Sequence, residues 1–263
     1  MGRLKAQPDI ELMRLAGRVV AEALAAMRDA IVPNVTTTHD LDEIAADVLR
    51  KRGAKSAFMG YHPPFSSVSY QHHTCLSVND EIVHGVPSKK RVLRDGEIIS
   101  LDMGAAIDGW YADSAITVPV GEVSAAARNL LIVTREALFK GIAQARAGNT
   151  IGDIGAAVQR HAERSRYKVV RELVGHGIGN TVHEEPQVPN YGIRGSGIKL
   201  KPGMTICIEP MINIGTEEAI KSAGADWEVF LTADGSLSAH FEHTVAITEN
   251  GPDILTLPPS EGK

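Results

Sequence analysis

Cysteine is scarce in this sequence of 263 residues, which contains only Cys75 and Cys207. Two cysteines so far apart are more typical of free thiols in a reducing compartment than of a disulfide scaffold, so we predict a cytoplasmic location. Long apolar runs are also missing. No stretch approaches the roughly 18 apolar residues of a membrane span, and the first residues lack the apolar core and cleavage site of a signal peptide.

Basic runs are absent as well, and the formal net charge is -5. This disfavours binding to a nucleic acid by bulk charge, so we expect no nucleic-acid specificity and no membrane partner. What is present is an ordinary globular composition, with 43% hydrophobic and 22% charged residues. The length fits one large domain or two intimately packed halves.

Periodicity predicts helices first. Apolar or small residues recur at intervals of three and four from Ile10 to Ile31, a pattern typical of one helix face. A cap signal between Thr38 and Asp40 begins a second helix, which stops at Gly53. Two more helices are predicted over 124–142 and 150–161, and strand regions over 74–78, 97–103, 110–118, 204–214 and 229–248. The order is helices, strands, helices, strands.

A weak internal repeat accompanies that order. The motifs "AEAL" and "DEIAADVLR" in the first part are followed in the second by "REAL" and "GDIGAAVQR". We predict an α+β protein with one catalytic domain over 1–263, built from two helix-plus-sheet halves at roughly 8–120 and 121–250. A cleft between two such halves is the natural place for a site.

The segment "ISLDMGAAIDGWYADSAITV" predicts a β-hairpin with two acids on one face. Asp108-Gly109 is a favoured two-residue turn, because both central positions need a positive φ. In the register that this turn sets, Asp102 and Asp113 are diagonal neighbours, whose backbones lie about 7–8 Å apart. Two such carboxylates need a cation or a proton between them when they are buried. An exposed hairpin surface is the equally weighted alternative.

Glu209 in "TICIEPM" and Glu242 in "SAHFEHTVAIT" repeat the pattern in the second half. Each acid interrupts a strand that otherwise alternates as core, and strand interiors are depleted in Glu. A polar face of an edge strand is the alternative for each. His176 and His183, in the glycine-rich segment "VGHGIGNTVHEEPQVPN", add imidazoles. Four carboxylates with an imidazole suit a pair of ions such as Mn, Fe(II), Co or Zn, which activate a bridging water for hydrolysis.

These motifs, together with "SVNDEIVHGVP" and "PDIELMRLAGRVVAEAL", resemble the type I methionine aminopeptidases of bacteria along essentially the whole chain. The resemblance implies the pseudo-two-fold pita-bread fold, in which two helix-plus-antiparallel-sheet halves enclose a dimetal cleft. It also implies removal of the initiator methionine from nascent proteins whose second residue is small. Two divalent ions per chain are implied, with Co, Mn, Fe(II), Zn and Ni as candidates, as are a monomer and a possible contact with the ribosome.

The resemblance also assigns roles by position. Asp102, Asp113 and Glu242 would hold one metal, and Asp113, His176, Glu209 and Glu242 the other. Glu209 would accept the proton of the attacking water, His183 would contact the scissile carbonyl, and His84 would lie near the amide nitrogen. The methionine pocket falls on Tyr61, Cys75 and Trp227, with Phe65 less secure because the loop before Cys75 is longer than in the shorter bacterial enzymes.

The sequence leaves two alternative functions open. A prolidase or aminopeptidase P of the same fold would act on bonds that involve proline, but such relatives usually carry an additional N-terminal domain. A non-catalytic peptide-binding protein on the same scaffold typically loses metal ligands, whereas all five are present here. His183 and Glu209 are only 26 positions apart, which leaves no room for the helical subdomain of type II relatives.

Overall fold

The computed structural model describes residues 3–62, 68–222 and 227–258. Its helices form two pairs, α1 and α2 near the start of the chain and α3 and α4 in the middle. They span Gln7–Asp29 (α1), Thr38–Arg52 (α2), Ala125–Ile142 (α3) and Ile151–Arg164 (α4). All four predicted helices are confirmed. Within the described ranges, no helix combines the length and the apolar character that crossing a membrane requires.

Side-chain caps explain where three of the helices begin. The Thr37 hydroxyl accepts a hydrogen bond from the Asp40 backbone N–H, and the Thr37 N–H donates to the Asp40 carboxylate in return. The cap of α2 therefore lies one residue before the predicted cap signal. Ser124 caps α3, and Thr150 forms the same reciprocal box with Asp153 at the start of α4. Gly53 ends α2 in the left-handed conformation, with φ of 64°.

The strands are mostly short, apart from one long hairpin. They are Lys55–Ser56 (β1), Cys75–Val78 (β2), Glu81–Val83 (β3), Ile98–Ile107 (β4), Trp110–Pro119 (β5), Lys168–Val169 (β6), Gly175–Gly177 (β7), Glu184–Val188 (β8), Thr205–Ile208 (β9), Met211–Asn213 (β10), Ala219–Lys221 (β11), Phe230–Thr232 (β12), Ser238–His240 (β13), Glu242–Thr248 (β14) and Gly251–Ile254 (β15).

Among the described residues, the central sheet has the order β1-β4-β5-β14-β9-β7-β8, with β2 paired to β4 and β15 to β14. Every pairing in it is antiparallel. Two smaller sheets, β13-β10-β6 and β11-β12-β3, complete the fold. The sheet therefore joins strands of the first part of the chain to strands of the second through the β5–β14 pair.

The two largest of the four hydrophobic clusters among the described residues lie under this arrangement. One joins α1 and α2 to β2, β4 and β5, with Leu101 and Met103 fully buried. The other joins α3 and α4 to β9, β10 and β14, with Ile206 and Val245 fully buried. This arrangement matches the predicted pairing of helices with sheet in each part, while the exact halves at 8–120 and 121–250 stay a prediction.

Two predicted strand regions are divided in the structure. Region 204–214 splits into β9 and β10 at Glu209-Pro210, because proline has no N–H to continue the ladder. Region 229–248 splits into β12, β13 and β14, which belong to three different sheets. The predicted strand region 229–248 therefore contains three short strands, and the breaks place His240 and Glu242 in separate ones.

Candidate functional site

The β4–β5 hairpin holds the first two acids in the predicted register. Ile107 pairs with Trp110 and Asp102 with Ala115, while Asp113 lies opposite Gly104. The turn residues Asp108 and Gly109 have φ of 49° and 80°, as a type I′ turn requires. A side chain at Gly104 would overlap the Ala57 side chain, so glycine allows Ala57 to pack against the hairpin beside Asp113.

Both acids of the hairpin are buried, Asp102 at 8% exposure and Asp113 at 3%. The alternative of an exposed hairpin surface is therefore wrong. Thr244 fixes the backbone here: its hydroxyl donates to the Asp113 carbonyl at 2.8 Å and accepts from the Asp113 N–H at 2.9 Å. The two carboxylates thus project from a strand pair that is held on both sides.

Glu242 joins them from the neighbouring strand. It pairs with Ala115, which itself pairs with Asp102, so one row of three strands carries two acids separated by a small residue. Strand β14 lies between β5 and β9, and β9 lies between β14 and β7. The edge-strand alternative is therefore wrong for Glu242. Glu209 directly follows β9, and Pro210 ends the strand there.

His176, in β7, completes the set. Its Nδ1 lies 2.9 Å from the Gly177 carbonyl oxygen. Because a carbonyl oxygen can only accept a hydrogen bond, Nδ1 carries the hydrogen and Nε2 is left with a lone pair. Nε2 lies 3.4 Å from Oε1 of Glu209. Burial lowers the pKa of His176 to about 3, which keeps the imidazole neutral and able to bind a cation.

The electrostatics of the cluster call for cations. Burial raises the pKa of Asp113 to about 7. Burial, followed by repulsion from neighbouring carboxylates, raises the pKa values of Asp102, Glu209 and Glu242 well above their usual range. One oxygen each of Asp113, Glu209 and Glu242 is buried with no hydrogen-bond partner. Such atoms are costly unless protons or metal ions satisfy them.

The geometry fits divalent metal. Single ligand atoms of Asp102, Asp113 and Glu242 lie within 4.8 Å of one another. A second such group joins Glu242 to His176 and Cys207, the latter a buried free thiol, as is Cys75. Hard carboxylate oxygens with one imidazole form the donor set that Mn, Fe, Co and Zn accept. The residues present therefore suit divalent metal.

The cluster lies in the wall of a cavity of about 770 Å³. Every described residue that the sequence predicted for the site lines this cavity: Tyr61, Cys75, His84, Asp102, Asp113, His176, His183, Glu209, Trp227 and Glu242. Phe65, the remaining predicted pocket residue, lies outside the described residues. The structure thus brings residues from distant parts of the chain to one cleft.

Two histidines face the cleft outside the carboxylate cluster. Nδ1 of His183 lies 2.9 Å from the Tyr61 hydroxyl, and its ring makes an edge contact with His176 at 4.3 Å between centroids. His84 has φ of 65°, an uncommon backbone conformation that often marks functional sites, and its ring lies 5.6 Å from Phe230. Burial lowers the pKa of both imidazoles, that of His84 to about 4.

Among the cavity residues that sequence reasoning missed, two have buried polar rings, Tyr70 and His240. Tyr70, which is 3% exposed, lies in the long loop before Cys75, with its ring 4.6 Å from that of Trp227 and its hydroxyl donating to the Thr74 carbonyl. His240 is 2% exposed, and its Nε2 lies 3.9 Å from Oε2 of Glu209. Burial lowers its pKa to about 3. Its position two residues before Glu242 was the signal available in the sequence.

Comparison with known proteins places the geometry in context. The model of metallopeptidase family M24 matches residues 11–249. A protein named methionine aminopeptidase from Clostridium acetobutylicum is 47% identical, over 97% of this chain and 98% of its own length. One of the same name from Aquifex aeolicus is 48% identical, over 96% and 98%.

Solved structures of related proteins have the same fold as this chain. The crystal structure of methionine aminopeptidase from Thermotoga maritima has a TM-score of 0.92 and 42% identity, covering 97% of this chain and 99% of that one. Prolidase from Pyrococcus furiosus has a TM-score of 0.74 at 22% identity, with only 65% of its length covered, so it shows a shared fold alone. These likenesses confirm the predicted pita-bread fold.

Proposed function

Because the chain belongs to metallopeptidase family M24, we propose that its acidic cleft is the catalytic site of an aminopeptidase that removes the initiator methionine from new proteins. The observation that carries this proposal is the convergence of the carboxylates of Asp102, Asp113, Glu209 and Glu242 and of four imidazoles on one cavity. It occurs in a chain whose near-full-length relatives are named methionine aminopeptidases. A prolidase activity is not favoured, since the prolidase from Pyrococcus furiosus is only 22% identical to this chain.

Membership of a metallopeptidase family implies that the enzyme works with divalent metal. We infer two ions, with Asp113 and Glu242 shared between them, Asp102 completing one set, and His176 and Glu209 completing the other. Ions held in this way lower the pKa of a water and polarise a carbonyl group. The candidates remain Co, Mn, Fe(II), Zn and Ni, because this donor set discriminates poorly among them.

The side chains around the cluster supply the remaining chemistry. Glu209 would accept the proton of the attacking water. The Tyr61 hydroxyl lies 2.9 Å from Nδ1 of His183. We assign the tyrosine as the donor, so that Nε2 of the neutral imidazole carries a hydrogen for the carbonyl oxygen as negative charge develops there. We assign His84 to the contact with the amide nitrogen of the substrate. Tyr61, Tyr70, Cys75 and Trp227 form the mostly apolar wall against which a methionine side chain packs.

The activity is tested by incubating purified protein with added Co or Mn and peptides that begin Met-Gly or Gly-Pro. We expect release of methionine, and release only from the proline-containing peptide would refute the proposal. Asp113→Asn removes one shared ligand with little change of shape and is expected to abolish turnover while the circular dichroism spectrum is retained. Full activity in that variant would contradict the two-metal arrangement.

The natural substrate would then be the amino terminus of a nascent chain. A monomeric state, contact with the ribosome and a cytoplasmic location are consistent with this role and stay predictions. Light scattering during size-exclusion chromatography tests the first, and co-sedimentation with ribosomes tests the second. Metal analysis of protein purified without added metal identifies the ions that the cell supplies.

A further inference from the structure

His176 and His183 lie at the two ends of a tight turn between β7 and β8. The Gly179 N–H donates to the Thr181 carbonyl, and the Thr181 hydroxyl donates to the His183 carbonyl. The turn is thus held by hydrogen bonds among its own residues. A further hydrogen bond joins it to the β4–β5 hairpin, where the Tyr111 N–H donates to the Gly179 carbonyl at 2.8 Å.

Glu184, directly after His183, holds the turn from within. Its Oε1 accepts the backbone N–H groups of Asn180 and Thr181 at 3.0 and 3.4 Å. Its other oxygen, Oε2, accepts from Nζ of Lys5 at 2.6 Å. The Lys5 side chain is 2% exposed and that of Glu184 is 14% exposed. The carboxylate therefore joins three donors in a place that little water reaches.

Lys5 is itself fixed. It precedes α1, and its N–H donates to the Gly203 carbonyl at 2.7 Å, so the backbone at this position is anchored to the second part of the chain. A side chain at Gly179 would overlap the Lys5 stem and the Glu184 carboxylate, which shows how closely the three residues approach. A residue that is 179 positions away in sequence thus reaches the base of the histidine turn.

We propose that Lys5 is a positioning residue for His183. Its ammonium group holds the Glu184 carboxylate, which orders the turn and directs the His183 imidazole toward the cleft. An apolar residue at position 5 leaves that carboxylate unpaired, and a buried unpaired charge draws in water or moves away. The turn then keeps only its weaker bonds. The inference rests on the proposed function, because His183 matters there through its contact with the substrate carbonyl.

The test compares Lys5→Met with the wild type, both loaded with Mn, on a Met-Gly peptide. We expect kcat/KM to fall about 10- to 100-fold, mainly through kcat, since a small misplacement of a catalytic group costs this much. Arg14→Met is the matched control. It removes the ion pairs of Arg14 with Asp253 and Glu11, which do not involve residues of the histidine turn, and it should change kcat/KM less than about 2-fold.

A double variant separates positioning from general stability. In a His183→Ala background, Lys5→Met should lower kcat/KM by less than about 2-fold, because the group that it positions is gone. Unchanged kcat/KM in the single variant, or an undiminished loss in the His183→Ala background, would overturn the inference.

Amide hydrogen exchange provides a readout that does not depend on turnover. In Lys5→Met and Glu184→Gln, the amides of Asn180 and Thr181 should exchange at least about 10-fold faster, because both lose the ion pair. If Lys5→Met fails to fold, Glu184→Gln decides, and unchanged exchange there counts against the inference. Wild-type protein that releases no methionine would refute the proposed function, whereas the exchange result would still decide whether Lys5 orders the turn.

Discussion

The free energy of unfolding of the metal-free protein should fall as the pH rises, and the pKa of Asp113 gives the size of the fall. Burial raises the pKa of this carboxyl from its ordinary value of 3.8 to about 7. In metal-free protein, the Asp113 carboxyl of the folded state therefore keeps its proton up to about pH 7. The same carboxyl in the unfolded state has lost its proton above about pH 4. Unfolding releases this proton, so the stabilisation is complete below pH 3.8 and is lost as the pH rises through 7.

The size follows from the shift. Each pH unit of difference is worth about 1.4 kcal/mol, so Asp113 accounts for about 4 kcal/mol in full and about 3 kcal/mol between pH 5 and 8. The pKa values of Asp102, Glu209 and Glu242 are raised in the same direction, so they deepen the loss. Bound metal supplies the positive charge in place of protons, and the decline should then disappear.

Urea unfolding of chelator-treated protein at pH 5, 6, 7 and 8 measures this effect. Asp113→Asn is the matched control, because it keeps the shape and removes the titration. Its metal-free form should lose about 3 kcal/mol less over the same range. A free energy of unfolding that is flat or rises from pH 5 to 8 in metal-free wild type, or equal slopes for the two proteins, would refute the reasoning.

Three further outcomes are expected. Tyr61→Phe removes the hydroxyl that contacts Nδ1 of His183. On a Met-Gly peptide, kcat should fall by about 10-fold or less, as for one lost hydrogen bond. Kinetics that match the wild type would contradict the assigned tautomer. Gly109→Ala should cost about 1–2 kcal/mol in urea unfolding, because φ is 80° there while the space around it is open, so the cost is one of backbone alone. Thr37→Ala should cost about 1 kcal/mol by losing the cap of α2, with Thr37→Ser as the control that retains the hydroxyl and should stay near the wild type.

Local rules predicted a large part of the structure correctly. The Asp108-Gly109 turn set the register of the β4–β5 hairpin, and the predicted positions of Asp102 and Asp113 are confirmed. This succeeded because turn conformation and side-chain alternation depend on residues close in sequence. The free state of both cysteines is likewise confirmed. Glu209 and Glu242 were recognisable as acids among core residues, because burial follows a period of two along a strand.

Only the tertiary structure decided which acids meet. Glu242 reaches Asp102 because β14 pairs with β5, and that pairing joins residues almost 130 positions apart, as Ser114 and His243 show. Neither turn chemistry nor periodicity carries this information, which is why the division of region 229–248 among three sheets and the places of Tyr70 and His240 in the cavity were not predicted. The ion pair of Lys5 with Glu184 is likewise invisible in sequence, since each residue alone is typical of an exposed surface. The sequence by itself determined the chemistry available to this protein, and long-range strand pairing determined where that chemistry is assembled.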